Sequence, residues 1–175
     1  MKKYLIIVLL NACFIGRLVA QEIPKGYFNR TKFGLQPGVD YGERPPSFEQ
    51  GGSLISTING FLLTPKLGLG LGVGYSAYNH PGVKAIPVFA NVDYYFLNKR
   101  STPYAVGSLG YGFVTNNVLV GGLVGELGVG WRFKSGKKIH LGPELAYRYQ
   151  SYGYKGYDGY RERLKSIFFG FNIMF

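Results

Sequence analysis

Cysteine is almost missing from this chain. Its 175 residues hold one, Cys13. Past that position no disulfide, thiol nucleophile or thiolate metal site can be built. Histidine is scarce, with His80 and His140 alone, so imidazole chemistry has two places to stand. Past residue 20 no stretch approaches the ~20 consecutive apolar residues that a membrane helix needs. Acidic residues are few, nine against twenty Lys and Arg, for a net charge of +11. The basic residues stand singly and gather near turns, unlike the continuous basic face of a nucleic-acid binder. Glycine (27), tyrosine (15) and phenylalanine (13) are abundant instead. A soluble core leans more on Leu, Ile and Val.

The first twenty residues read as a secretory signal. Lys2 and Lys3 are followed by apolar Tyr4 to Leu10, and Leu18-Val-Ala20 precedes Gln21 as a cleavage site. The segment is too short to span a membrane as a helix. The expected division is a signal over 1–20 and one domain over 21–175. A lipoprotein signal is the competing reading, because Leu10-Asn-Ala-Cys13 resembles a lipobox, although Asn11 is unusual there.

Alternation organises the rest. In the last stretch, Ile167, Phe169, Phe171, Ile173 and Phe175 are large and apolar, while Ser166, Phe168, Gly170, Asn172 and Met174 between them are mixed. Successive strand residues point to opposite faces, so this is a strand with one greasy face. Eight such stretches are predicted, roughly 26–39, 53–63, 67–78, 84–97, 102–114, 121–133, 138–150 and 163–175. The connections 64–66, 98–101 and 134–137 are short and polar, as in tight hairpins. Those over 40–52, 79–83, 115–120 and 151–162 are mostly longer. Short turns on one side and longer loops on the other fit an outer-membrane barrel, with both ends and the short turns in the periplasm.

The faces sort by charge. In the seventh stretch Ile139, Leu141, Leu145, Tyr147 and Tyr149 oppose His140, Glu144, Arg148 and Gln150. In the sixth, Leu123, Leu127, Val129, Trp131 and Phe133 oppose Glu126 and Arg132. The third sets leucines against a column of Gly68, Gly70, Gly72 and Gly74, and the fourth and first put Asp93, Arg30 and Lys32 on the less apolar side. The second and fifth leave their parity open. Charge cannot face lipid, where an Arg or Lys at mid-bilayer costs ~2–4 kcal/mol. Arg30, Lys32, Asp93, Glu126, Arg132, Glu144 and Arg148 are therefore expected to form a polar network inside, with Gln36 and Asn59, the glycine column leaving them room. Aromatics near the strand ends, Tyr94, Tyr95, Phe96, Trp131, Phe133 and Phe175 on one side and Tyr75, Tyr78, Tyr147, Tyr149 and Tyr152 on the other, are expected to form two girdles.

At this point the chain resembles the small outer-membrane β-barrels of Gram-negative bacteria, of the OmpX/OmpA-transmembrane type. It is most similar to the Gly- and Tyr-rich barrel domains of Bacteroidetes-type genomes. The resemblance rests on the signal, the opening Gly26-Tyr-Phe-Asn-Arg-Thr-Lys-Phe-Gly34, the eight-strand rhythm and the terminal Ile173-Met-Phe175. It implies an all-β, eight-stranded, antiparallel up-and-down transmembrane barrel. It also implies that Phe171, Ile173 and Phe175 are an assembly signal read by the barrel-assembly machinery.

The functional expectation is a structural or surface-interaction role with no open pore, no catalysis and no cofactor or metal. The partners expected are outer-membrane lipid and lipopolysaccharide, with no nucleic acid, around a monomer. One alternative is a ligand- or host-binding surface at 151–162, where Tyr152, Tyr154, Tyr157 and Tyr160 offer amphipathic contact area. Another is a lipid-modifying enzyme, but His80 with Ser76 and Glu144 makes no nucleophile–base–acid set that the sequence can place together. A soluble, lipocalin-like barrel would invert the faces and expose long apolar stripes to water.

Overall fold

The computed structural model describes residues 25–39, 47–79, 82–99, 101–115, 118–135, 139–156 and 161–175. They form eight long strands: β1 (Gly26–Gly38), β2 (Ser47–Leu62), β3 (Leu67–Tyr78), β4 (Lys84–Tyr95), β5 (Thr102–Val114), β6 (Gly122–Lys134), β7 (His140–Tyr154) and β8 (Arg161–Met174). Each pairs antiparallel with the next, and β8 pairs back onto β1, so the sheet closes. A two-residue piece, Leu119–Val120, adds to the loop-side end of β7.

The register sets the shape. Partners followed around the wall from Arg30 run Ile58, Gly72, Phe89, Gly110, Val124, Gln150 and Leu164. The partner of Arg30 on β8 is Met174 instead, ten residues further on than Leu164. That stagger over eight strands tilts them by about 40° and leaves a lumen only wide enough for side chains.

The turns explain themselves locally. Thr64 Oγ1 accepts from the amides of Lys66 (3.2 Å) and Leu67 (2.9 Å), which folds the β2–β3 hairpin. Thr102 Oγ1 accepts from the Leu97 amide at 3.0 Å and closes β4–β5. On the other side three strand ends differ from expectation. β2 starts at Ser47, and its register with β1 shifts between Gln36 and Gly38. β7 runs on to Tyr154, and β8 begins at Arg161. Backbone pairing therefore continues into segments expected to be loop.

The outer wall is apolar. Leu71 (70%), Leu127 (72%) and Leu109 (61%) stand exposed at its middle, and the charged residues of the same strands lie inside. This contradicts the soluble, inverted alternative, since water would meet a continuous belt of Leu, Val and Phe. Aromatic pairs edge the short-turn side: Tyr27 with Phe61, Tyr94 with Phe96, and Trp131 with Phe133. Tyr75, Tyr111 and Tyr147 are exposed toward the loop side. Tyr95, Tyr78 and Tyr152 were expected in these girdles, but all three are buried and point inward. They fall on the inward parity of their strands, and nearness to a strand end does not override it.

The glycine column also needs correcting. It does not make room for long charged chains. Phe28, Ile58, Leu62 and Phe89 pack there, and a Cβ at Gly72 would run into the Phe89 ring and Ile58.

If the belt faces acyl chains, Leu127→Arg should cost ~2–4 kcal/mol of stability in lipid vesicles. Phe96→Arg, at the aromatic edge, should cost only ~0–1 kcal/mol. Denaturant titration of the two in vesicles checks this, and equal costs would rule out a depth-dependent lipid face.

Candidate functional site

Parity delivers seven charged side chains into the lumen. Arg30 and Lys32 come from β1, Asp93 from β4, Glu126 and Arg132 from β6, and Glu144 and Arg148 from β7, each under 5% exposed. Six of them are joined by ion pairs. Arg30 Nη1 lies 2.9 Å from Asp93 Oδ1, and its Nη2 donates to Asn91 Oδ1 at 3.2 Å. Lys32 Nζ bridges Glu126 and Glu144, the latter at 2.9 Å. Arg148 Nη1 holds the other oxygen of Glu126 at 2.6 Å, directly across the β6–β7 register. The Arg30 and Lys32 contacts cross the lumen from β1 to β4, β6 and β7, so they tie walls that share no backbone bond.

Neutral groups complete the network. Tyr104 OH donates to Glu144 Oε2 at 2.6 Å and accepts from Asn172 Nδ2 at 2.8 Å. Ser108 Oγ donates to Asn91 Oδ1 at 3.0 Å. Gln36 Nε2 donates to the Ser53 carbonyl at 3.0 Å, near the loop side. Tyr104 and Ser108 were missed because the parity of β5 was left open. The outward run Leu109, Tyr111 and Phe113 carried the signal that fixes it. Asn59, expected here, faces out, because β2 turns Leu54, Ser56, Ile58 and Leu62 inward.

Arg132 stands apart. It has no carboxylate within ion-pair distance among the described residues. Its guanidinium lies 4.1 Å from the centre of the Tyr95 ring, and Nη1 donates to Met174 Sδ at 3.8 Å. Cation–π contact and thioether take the place of an anion.

Apolar side chains fill the rest of the lumen. Phe28, Ile58, Leu62, Phe89, Tyr95, Tyr104, Val106 and Met174 form one cluster. Tyr78, Val83, Tyr152 and Leu164 form another at the loop side, with Val114, Leu119 and Tyr154 packed on it. The interior is thus a packed core with a charged layer.

The remaining candidates scatter. Tyr152 is buried, and its hydroxyl donates to Glu162 Oε2 at 3.4 Å. Tyr154 is half-buried on β7, so neither is the open loop tyrosine expected, while Tyr157 and Tyr160 lie outside the described residues. Ser76 faces the lumen and donates to Gln150 Oε1 at 3.3 Å. Glu144 is committed to Lys32 and Tyr104, and His140 opens β7 on the short-turn side. His80 lies outside the described residues. Phe171 and Phe175 are exposed on the wall and Ile173 is half-buried beside them, all on the strand that closes against β1.

No family model and no curated protein matches this chain. Solved structures do. The crystal structure of Neisserial surface protein A aligns with a TM-score of 0.60 at 13% identity, over 85% of this chain and 94% of that one. The outer membrane protein OprG from Pseudomonas aeruginosa aligns at 0.55 and 11%, over 90% and 99%. The N-terminal β-barrel domain of OprF from the same organism aligns at 0.52 and 18%, over 86% and 98%. At these identities the likeness is one of fold: this chain has the fold of the small eight-stranded outer-membrane barrels.

Removing one member of the network should cost more than removing a pair. Glu126→Ala leaves Arg148 buried without its anion, and a loss of about 3–5 kcal/mol is expected. Arg148→Met added to it should recover part of that loss. A double-mutant cycle by denaturant unfolding reads the coupling, and simple additivity would mean that the two do not act as a pair.

Proposed function

We propose that the protein is an integral outer-membrane barrel with a structural or surface-interaction role and no open pore. The observation behind this is a wall that is greasy outside around a lumen filled by paired charges and apolar clusters. The outside calls for acyl chains as solvent. The inside leaves no continuous water column, since an eight-stranded lumen is only as wide as its side chains. OprG is by name an outer membrane protein. The same location here is part of the proposal, together with export through a signal over 1–20.

In this reading the short turns face the periplasm. Lys84, Arg161 and Arg163, all exposed toward the loop side, suit the phosphates of lipopolysaccharide. Phe171, Ile173 and Phe175 serve the barrel-assembly machinery. No reaction is part of the reading, because the acid nearest to a catalytic arrangement, Glu144, is held by Lys32 and Tyr104. A surface contact through the segment 155–160 is the second reading, favoured by the pairing of β7 and β8 out to Gly153 and Arg161. Replacing that segment by Gly and Ser separates the two: loss of cell-surface binding by a folded barrel supports the contact, and unchanged binding supports the scaffold.

Reconstituted in planar bilayers, the protein should pass no stepwise current. It should fractionate with the outer membrane when expressed. Porin-like steps would overturn the closed lumen, and recovery in the soluble fraction would overturn the location.

A further inference from the structure

The outer wall is uneven. On β5 and β6 the outward positions Gly107 and Gly125 carry no side chain, and Ala90 on β4 carries only a methyl group. A Cβ at Gly107 would meet only Leu127, at 3.5 Å, and one at Gly125 only Leu109, at 4.0 Å. Unlike Gly72, these two glycines leave space open. The result is a groove of 510 Å³ that runs from Ala90 across to Tyr147 and Tyr149. A second groove of 490 Å³, between Leu127, Val129, Leu145, Tyr147 and Ile167, reaches β8. Leu127 and Tyr147 line both.

Strand β8 carries charge above the second groove. Arg161 and Arg163 are exposed on the same face as Ile167, with Lys165 between. Ile167 stands opposite Tyr147, and Lys165 opposite Tyr149. At a rise of about 3.3 Å per residue and a tilt of about 40°, Arg163 lies ~10 Å nearer the loop side than Ile167. That is the step from acyl chains to headgroups. Glu162, the one acid of β8, has the opposite parity and accepts from Tyr152 OH at 3.4 Å. Among the described residues no carboxylate lies within ion-pair distance of Arg161 or Arg163.

We propose that the wall from β5 to β8 is a binding site for one molecule of lipopolysaccharide. Its lipid A phosphates lie on Arg161 and Arg163, and its acyl chains lie in the two grooves. Each part meets the wall at the level where such a lipid carries it. A guanidinium takes phosphate in two parallel hydrogen bonds, so two arginines suit a headgroup with phosphate on it. Grooves divided only by Leu127 and Tyr147 hold chains side by side, which suits a lipid with several chains on one headgroup. An apolar protein partner would leave the arginines unmatched, and a free phosphate would leave the grooves empty. The site rests on the outer-membrane reading of the chain, with the loop side outward.

The test counts lipid retained by the full protein in detergent micelles, by native mass spectrometry, with the heat-dependent gel shift as the check of the barrel. Lipid A should be retained, one per barrel, and dephosphorylated lipid A or phosphatidylglycerol at least about tenfold more weakly. Arg161→Gln with Arg163→Gln should weaken retention about thirtyfold. Lys84→Gln, four strands away on β4, should change it little. Gly107→Leu with Gly125→Leu fills the first groove where the space is open, leaves every charge in place, and should still release the lipid. A shifted, folded barrel that holds no lipid A overturns the proposal and leaves the outer-membrane reading standing, whereas soluble protein with no shift overturns both. Equal retention of phosphatidylglycerol, an equal loss with Lys84→Gln, or full retention by the double leucine chain would each overturn the site.

Discussion

Lys32 holds the centre of the barrel. Its ammonium group sits between Glu126 on β6 and Glu144 on β7, on the far side of the lumen from its own strand. Unpaired, each of these charges would carry the desolvation cost of a buried ion. Paired, they require β1, β6 and β7 to stand at one distance and one register. Glu126 is shared with Arg148, and Glu144 with Tyr104, which passes the constraint on to β5. A one-residue slip of any of these strands would turn its charges toward lipid and its leucines inward. The ladder of backbone bonds closes the barrel, and the charged layer selects the register in which it closes.

That layer also supports the reading of the lumen as closed. Charges in a wide pore stay hydrated and act on passing ions. Here Arg30, Lys32, Asp93, Glu126, Glu144 and Arg148 are spent on one another, and apolar clusters pack beside them. Arg132 is the exception, and it rests on an aromatic ring and a thioether. Such a core gives rigidity to a short barrel. It leaves chemistry and recognition to the outer wall and the loop side.

Much of this was legible because period-two alternation is a strong signal where one face is charged. Strands β1, β3, β4, β6 and β7 each carry leucines or aromatics against Arg, Glu, Asp or Gly, and a charge, or in β3 the run of glycines, fixes the parity. Strand β5 has no charge, and β2 has none past Glu49, so their faces were ambiguous. The consequences were specific. Tyr104 went unnoticed as a ligand of Glu144, and Asn59 was placed inside. Tyr78, Tyr95 and Tyr152 were misread because tyrosine suits both an interface and a lumen. The glycine column was read as space for charge, yet Phe28 and Phe89 fill it. Sequence shows that a strand face is small. It does not show which neighbour's side chain covers it, because that depends on stagger.

The misplaced asparagine shows what the choice of face decides. An Asn in the lumen would be one more member of a satisfied network. An Asn on the outer wall, beside another Asn and two Thr at the aromatic edge, is a different object, because it gives up part of its water there. The four side chains answer part of that cost among themselves, which is why the wall tolerates them. What they leave over is a donor and an acceptor pointing outward at a fixed depth. Most of the remaining exposed wall is Leu, Val, Ile and aromatic, so the patch breaks the rotational symmetry of the cylinder. A barrel whose interior is closed has two ways to meet other molecules, through its rim and through its wall.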